Sequence, residues 1–95
     1  MALKVQHDEQ NHRFEAEVDG QTLHLDDRRL DRQTLAYEST VVPEELRGRG
    51  LAGELVTHAL DWAKHHDYLV VATCPYVQSF VDKHPEYRAV KTRPK

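Results

Sequence analysis

Apolar and polar residues alternate through the first part of the chain, which is the pattern of half-buried strands. The clearest stretch is residues 12–18, where the apolar residues are separated by charged ones: Phe14, Ala16 and Val18. Asp19-Gly20 follows, and this dipeptide predicts a tight hairpin turn because glycine readily adopts positive φ. Leu23 and Leu25 then alternate with polar residues along the predicted return strand.

Two more strands are predicted on either side of this hairpin. Leu3 and Val5 alternate with polar residues before a polar turn at residues 8–11, which predicts a short first strand. The charged residues 26–33 are interpreted as a connection. A further strand is predicted at about residues 34–42.

The second half of the chain has a helical period. Apolar residues recur three and four positions apart at Ala52, Leu55, Val56, Ala59, Leu60 and Ala63. This stripe predicts an amphipathic helix that extends to about His65. The apolar run at residues 68–72 is typical of a strand covered on both faces, so residues 34–73 form a predicted right-handed strand–helix–strand unit. A second helix is predicted at residues 75–84 and a short last strand at residues 88–91.

These elements predict a single domain over residues 1–95, of mixed α/β (α+β) class. Its antiparallel meander leads into a βαβ unit with a second short helix. A chain of 95 residues supports one modest core. No apolar run approaches the roughly 18 residues that cross a bilayer, and the start of the sequence turns polar too early for a signal peptide. With one cysteine and no internal disulfide, we expect a cytoplasmic protein without membrane association.

The charge distribution argues against a nucleic-acid-binding protein, and the histidine spacing argues against a metal-binding one. The first 47 residues carry 11 acidic and 6 basic side chains, whereas nucleic-acid binding favours a basic stripe. The 7 histidines do not have the spacing of a metal site. We therefore expect neither a nucleic-acid partner nor a bound metal.

The most informative segment connects the strand ending at Val42 to the long helix. It contains Gly48 and Gly50 between the basic residues Arg47 and Arg49. The free N–H groups of a first helical turn form an anion site, and glycine allows a ligand to approach the backbone closely. The segment therefore predicts a phosphate or pyrophosphate site. It matches neither the Walker loop nor the dinucleotide-binding G-x-G-x-x-G loop.

Arg47-Gly48-Arg49-Gly50-Leu51-Ala52 resembles the [RQ]-x-x-G-x-[GA] motif of the GNAT superfamily of acetyl-CoA-dependent N-acetyltransferases. The later segment Cys74-Pro75-Tyr76-Val77 is similar to that of a small single-domain branch of about this length. The resemblance implies a minimal GNAT-like fold. It also implies that the coenzyme A pyrophosphate is held by backbone N–H groups of Arg47, Gly48, Arg49, Gly50, Leu51 and Ala52. The pantetheine arm would pair with the preceding strand end at Thr40, Val41 and Val42.

Three residues are candidates for the chemistry. Cys74 follows a strand and precedes a predicted helix, so it is either a thiol close to the thioester or a buried apolar contact. Glu38 lies where related small members often carry a histidine, and it is the candidate base acting through water. Tyr76 is either the acid that protonates the leaving thiolate or an amphipathic surface residue.

The resemblance implies transfer of acetyl from acetyl-CoA to an amine by direct attack on the thioester. A backbone N–H near Val41 would polarise the thioester carbonyl. The acceptor is expected to be a small amine, a polyamine or a peptide amine, and the protein a monomer or weak homodimer. Two alternatives stay open at this point. One is a coenzyme A or acetyl-CoA binding module without turnover. The other is an interaction domain whose glycine loop only joins a strand to a helix.

Overall fold

The computed structural model describes residues 3–87, so the strand predicted at residues 88–91 lies outside the described part of the chain. Five strands form one sheet in the order β1-β2-β3-β4-β5. The strands are β1 (Gln6–Asp8), β2 (Arg13–Val18), β3 (Gln21–Asp31), β4 (Thr34–Val41) and β5 (Leu69–Ala72). The helices are α1 (Leu51–His65) and α2 (Pro75–Asp82), with short 3-10 turns at Glu44–Leu46 and Pro85–Tyr87.

Strands β1 to β4 form the predicted antiparallel meander. The hairpin turn between β2 and β3 has positive φ at both of its residues, 54° at Asp19 and 77° at Gly20, as a primed turn requires. The first strand was predicted too early, because β1 begins only at Gln6. The backbone N–H of Leu3 instead donates to the Glu54 carboxylate of α1 at 3.1 Å, which ties the chain to the helix before the strand begins.

The charged segment after Leu25 is strand, and its interpretation as a connection was wrong. Strand β3 continues to Asp31 and pairs with β4 along that length. Alternation explains why the charges are tolerated. Leu23 and Leu25 are fully buried on the helix-covered face, so Asp26 and Arg28 project from the opposite face. That face is covered by neither α1 nor α2.

Helix α1 connects β4 to β5, which pair in parallel as predicted. The five buried residues of α1 form most of the predicted apolar stripe: Leu55, Val56, Ala59, Leu60 and Ala63. The buried Tyr37 hydroxyl of β4 donates to the Ala59 carbonyl at 2.6 Å and fixes the helix on the sheet. No helix within residues 3–87 is long and apolar enough to cross a membrane.

Strands β4 and β5 separate after Tyr37. Their pairing runs from Thr34 opposite Leu69 to Tyr37 opposite Ala72. The N–H groups of Thr73 and Cys74 then both donate to the Tyr37 carbonyl, at 3.1 and 3.0 Å. These bonds turn the chain into α2, which ends at Asp82, two residues before its predicted end.

A bulge in β4 accompanies this separation. Asp27 lies opposite Tyr37 and Asp26 lies opposite Ser39, so Glu38 is an extra residue without a partner in β3. Such a bulge bends the strand and changes which residues share a face. Beyond the bulge, the end of β4 remains paired with β3 and has left β5.

Candidate functional site

A cavity of about 560 Å³ lies at the separated end of β4, beside the N-terminus of α1. Three segments and one side chain of α2 form its wall: Thr40, Val41, Val42, Leu46, Arg47, Gly48, Gly50, Leu51, Ala52 and Tyr76. Of the nine residues predicted to bind coenzyme A, all except Arg49 line this cavity. The tertiary structure therefore brings together a strand end and a helix start that are about ten residues apart in sequence.

The glycine loop has the backbone conformation that glycine favours. Gly48 has a φ of 81° and Gly50 a φ of 75°, both in the left-handed region that L residues rarely adopt. Gly50 is the N-cap of α1, and no side chain caps this end of the helix. Because Gly50, Leu51 and Ala52 line the cavity, the uncapped N–H groups and the positive helix end lie at its wall.

The two arginines of the loop have different surroundings. Arg47 lines the cavity, and its Nε donates to the Val42 carbonyl at 3.1 Å, which joins the loop to the end of β4. Arg49 is turned to Asp19, with 2.8 Å between Nη1 and the carboxylate. Arg47 is therefore the side chain that brings positive charge to the cavity.

The predicted catalytic thiol lies behind the cavity wall. The Cys74 side chain is buried, with 5% of its surface exposed, and its sulfur lies 3.6 Å from the Thr40 hydroxyl. Thr40 lines the cavity, whereas Cys74 does not. A ligand in the cavity would therefore contact Thr40 before it reached the sulfur.

Tyr76 and Glu38 differ in their relation to the cavity. Tyr76 is 43% exposed and lines it. Its hydroxyl would lie 3.6 Å from a β-carbon placed on Gly53 of α1, so it stands close to the helix start. Glu38 lies outside the cavity at the bulge, where its carboxylate accepts a hydrogen bond from Arg28 Nε at 2.6 Å.

Leu46 is the lining residue that sequence analysis missed. It is 1% exposed and ends the short 3-10 turn between β4 and the glycine loop. The only signal was one apolar residue in a polar loop, after Glu44 and Glu45. Its burial anchors the loop to the core and holds the glycines in position.

Two polar side chains, Tyr37 and Asp27, are buried where β3 and β4 pair before the bulge. Burial raises the pKa of Tyr37 well above its ordinary value, so its hydroxyl remains a hydrogen-bond donor. Burial also raises the pKa of Asp27, although a hydrogen bond from His7 at 3.0 Å opposes this shift. Within residues 3–87, no group of three or more His, Cys, Asp or Glu side chains has the arrangement of a metal site.

This chain is similar to proteins of a known family. The family model described as "GCN5-related N-acetyl-transferase" matches residues 13–90. Protein NATD1 of Mus musculus is 33% identical over 93 residues, which cover 87% of this chain and 77% of that protein. Protein NATD1 of Danio rerio is 33% identical over 89 residues, with 90% and 81% covered.

A solved structure has the same fold. The NMR solution structure of a GCN5-like protein from Staphylococcus aureus superimposes with a TM-score of 0.73 and covers 98% of this chain and 91% of its own. The sequence identity is 19%, so the likeness concerns the fold alone. It confirms the predicted mixed sheet with two helices.

Proposed function

This chain belongs to the family of GCN5-related N-acetyl-transferases, and from this membership we propose that it transfers acetyl from acetyl-CoA to an amine. The observation that carries the proposal is the cavity itself. The glycine loop, the uncapped start of α1 and the separated end of β4 form one continuous wall. An anion site thus adjoins an unpaired strand edge, which is what a diphosphate with a long amide-bearing arm requires.

The proposed binding mode assigns each part of the cavity to one part of acetyl-CoA. The N–H groups from Arg47 to Ala52 hold the pyrophosphate, and the Arg47 guanidinium supplies a cation beside it. Arg49 contributes its backbone, since its side chain is paired with Asp19. The pantetheine arm adds to the edge formed by Thr40, Val41 and Val42.

The reaction is direct attack of the amine nitrogen on the thioester carbonyl carbon. The new C–N bond forms, the C–S bond breaks, the amine nitrogen gives one proton to a neighbouring water, and the leaving thiolate gains one. A backbone N–H near Val41 stabilises the oxyanion, and Tyr76 donates the proton to the thiolate. Glu38 was the sequence-based candidate for the base, but its ion pair with Arg28 turns its carboxylate to another partner.

Direct attack is favoured over transfer through Cys74. The thiol is 5% exposed and lies behind Thr40, whereas a nucleophile must reach the reacting carbon. The proposed acceptor is a small amine, a polyamine or a peptide amine. We place the reaction in the cytoplasm, in a monomer or weak homodimer that acts on neither nucleic acid nor membranes.

Calorimetry and thiol release together test the proposal. Acetyl-CoA is titrated into the protein, and thiol release is then followed with spermidine, benzylamine and a lysine-bearing peptide. Binding together with amine-dependent thiol release is the expected result. Binding without turnover of any amine would indicate a coenzyme A binding module. Absence of binding at high micromolar acetyl-CoA would leave only an interaction domain.

A further inference from the structure

Three polar side chains form a hydrogen-bonded row on the sheet face that α1 and α2 leave uncovered. His24 Nδ1 lies 2.9 Å from one carboxylate oxygen of Asp26. The Ser39 hydroxyl donates to the other oxygen of the same carboxylate at 2.7 Å. Asp26 therefore bridges an imidazole of β3 and a hydroxyl of β4, and its two hydrogen bonds fix the orientation of the His24 ring.

This row lies at the end of β4 that lines the cavity. His24 is directly opposite Val41, and Asp26 is directly opposite Ser39. Directly opposed residues of antiparallel strands project from the same face. Leu23 and Leu25, the neighbours of His24, are fully buried on the helix side, so the imidazole projects from the other face. The bulge at Glu38 sets this register, because without it Asp26 would lie opposite Glu38.

The proposed position of the thioester makes this face important. A pantetheine arm paired with the edge of β4 lies in the plane of the sheet, with the helices on one side of it. The amine can then approach from the open face, where His24 and Val41 lie. Neighbouring strands are about 4.8 Å apart, so the arm lies two strand spacings from β3. Two spacings are about 9.6 Å, more than one hydrogen-bonded water can span, so a short row of waters connects the attacking nitrogen to His24 Nε2.

We propose that His24 is the base of the transfer reaction and that Asp26 is its positioning residue, an inference that rests on the proposed function. The amine nitrogen bonds to the acetyl carbon and gives up one proton to the first of these waters. The last water of the row passes a proton to His24 Nε2, while the C–S bond breaks and the thiolate takes a proton from Tyr76. The imidazole thus has the role for which sequence analysis found no histidine in β4.

Charged side chains lie near His24 on its own strand and on β2. The Asp26 carboxylate on the same strand lies 2.9 Å from His24 Nδ1, and Glu15 on β2 lies directly opposite His24. The Arg13 guanidinium on β2 lies 3.9 Å from the Asp26 carboxylate. Ser39 and Val41 of β4 carry no charge. His24 is one-fifth exposed, which leaves it access to water.

Steady-state kinetics over a pH series test the assignment, with the amine that gives the fastest thiol release from the wild type. His24→Gln is expected to lower kcat about 100-fold at neutral pH, with an unchanged acetyl-CoA affinity, and to remove the acidic limb of the profile. Asp26→Asn is expected to lower kcat less and to leave the KM for acetyl-CoA unchanged, because the imidazole loses the carboxylate that orients it while the coenzyme site stays intact. His58→Gln, in an exposed histidine of α1, is the matched control.

Two further measurements make the outcome decisive. Acetyl-CoA binding by each variant shows that it is folded, and imidazole added to His24→Ala is expected to restore part of the lost rate. An active wild type with equally active His24→Gln overturns the role of His24 and leaves the transfer reaction intact. A wild type that binds acetyl-CoA but acetylates no amine overturns both.

Discussion

The Thr40 hydroxyl lies 3.6 Å from the Cys74 sulfur, at the point where β4 and β5 separate. This contact joins the cavity wall to the start of α2 across the opening of the sheet. It also places the hydroxyl between the cavity and the sulfur. The thiol therefore packs against the wall, which is the arrangement that favours direct transfer.

Cys74→Ser tests that arrangement. We expect the variant to keep kcat within about threefold of the wild type, since direct attack needs no nucleophile in the protein. Wild-type protein incubated with acetyl-CoA and no amine should gain no mass, as measured by intact mass spectrometry. An increase by one acetyl group, absent from Cys74→Ser, would instead establish transfer through the thiol.

Arg47 and Arg49 form a matched pair for testing the proposed pyrophosphate site. Arg47→Ala should weaken acetyl-CoA binding about tenfold at low salt, with a smaller effect at high salt because added ions screen the lost charge. Arg49→Ala should weaken it by less than about threefold, since Asp19 already holds that guanidinium and exposed ion pairs contribute little. Calorimetry at two salt concentrations measures both. Equal losses would place both side chains at the ligand.

Alanine substitutions at Gly50 and Gly53 distinguish the effect of backbone strain from the effect of helix propensity. Gly50→Ala places a β-carbon at a φ of 75°, so the free energy of unfolding should fall by about 1 kcal/mol and acetyl-CoA binding should weaken. Gly53 is inside α1, where an added β-carbon meets Tyr76 and Phe80 at ordinary contact distances of 3.6 and 3.7 Å. Gly53→Ala should therefore raise the unfolding free energy by about 0.5–1 kcal/mol. Urea unfolding measures both, and a stabilised Gly50→Ala would contradict the strain argument.

Tyr76→Phe tests the proton donor for the leaving thiolate. The ring still lines the cavity, so the KM for acetyl-CoA should stay unchanged while kcat falls about tenfold through loss of the acid. Tyr68→Phe, at a tyrosine that accepts a hydrogen bond from Arg29 and lies outside the cavity wall, is the control. A rise in KM without a change in kcat would show that the hydroxyl only binds the ligand.

Asp27 gives the protein a pH dependence of stability. Burial raises the pKa of Asp27 above its ordinary 3.8, so the folded protein holds this proton more tightly than the unfolded chain does. Stability should therefore fall as the pH rises from about 4 through the raised pKa. Asp8 and Asp31, whose pKa values are lowered by hydrogen bonds, act in the opposite sense at lower pH.

Asp27→Asn should remove this decline. Urea midpoints at a series of pH values from 4 to about 7 compare the variant with the wild type, and Asp82→Asn, at an exposed carboxyl of α2, provides the control. A decline that persists in Asp27→Asn would assign the pH dependence to another group.

The elements whose signal is local were predictable from residue patterns. The α1 stripe, the Asp19-Gly20 turn and the apolar β5 all formed as expected. The glycine loop was also identified, because its conformation depends on Gly48 and Gly50, which lie two positions apart in sequence. The length of β3 was underestimated, because a charged segment can form a strand when one face of that strand is not covered by a helix. Its pairing with β4 stabilises it, and that pairing is not visible in its own residues.

Residue patterns alone predict a meander followed by a strand–helix–strand unit, and a glycine loop at the start of the long helix. Which side chains turn toward the cavity is set by the packing of the elements against one another. Arg49 is drawn away by Asp19 and Glu38 by Arg28, while His24 is aligned opposite Val41 by the bulged register. Each of these depends on residues from different strands or turns meeting in space. Periodicity specifies a face of one element, whereas strand register and ion pairing are fixed only when the elements pack together.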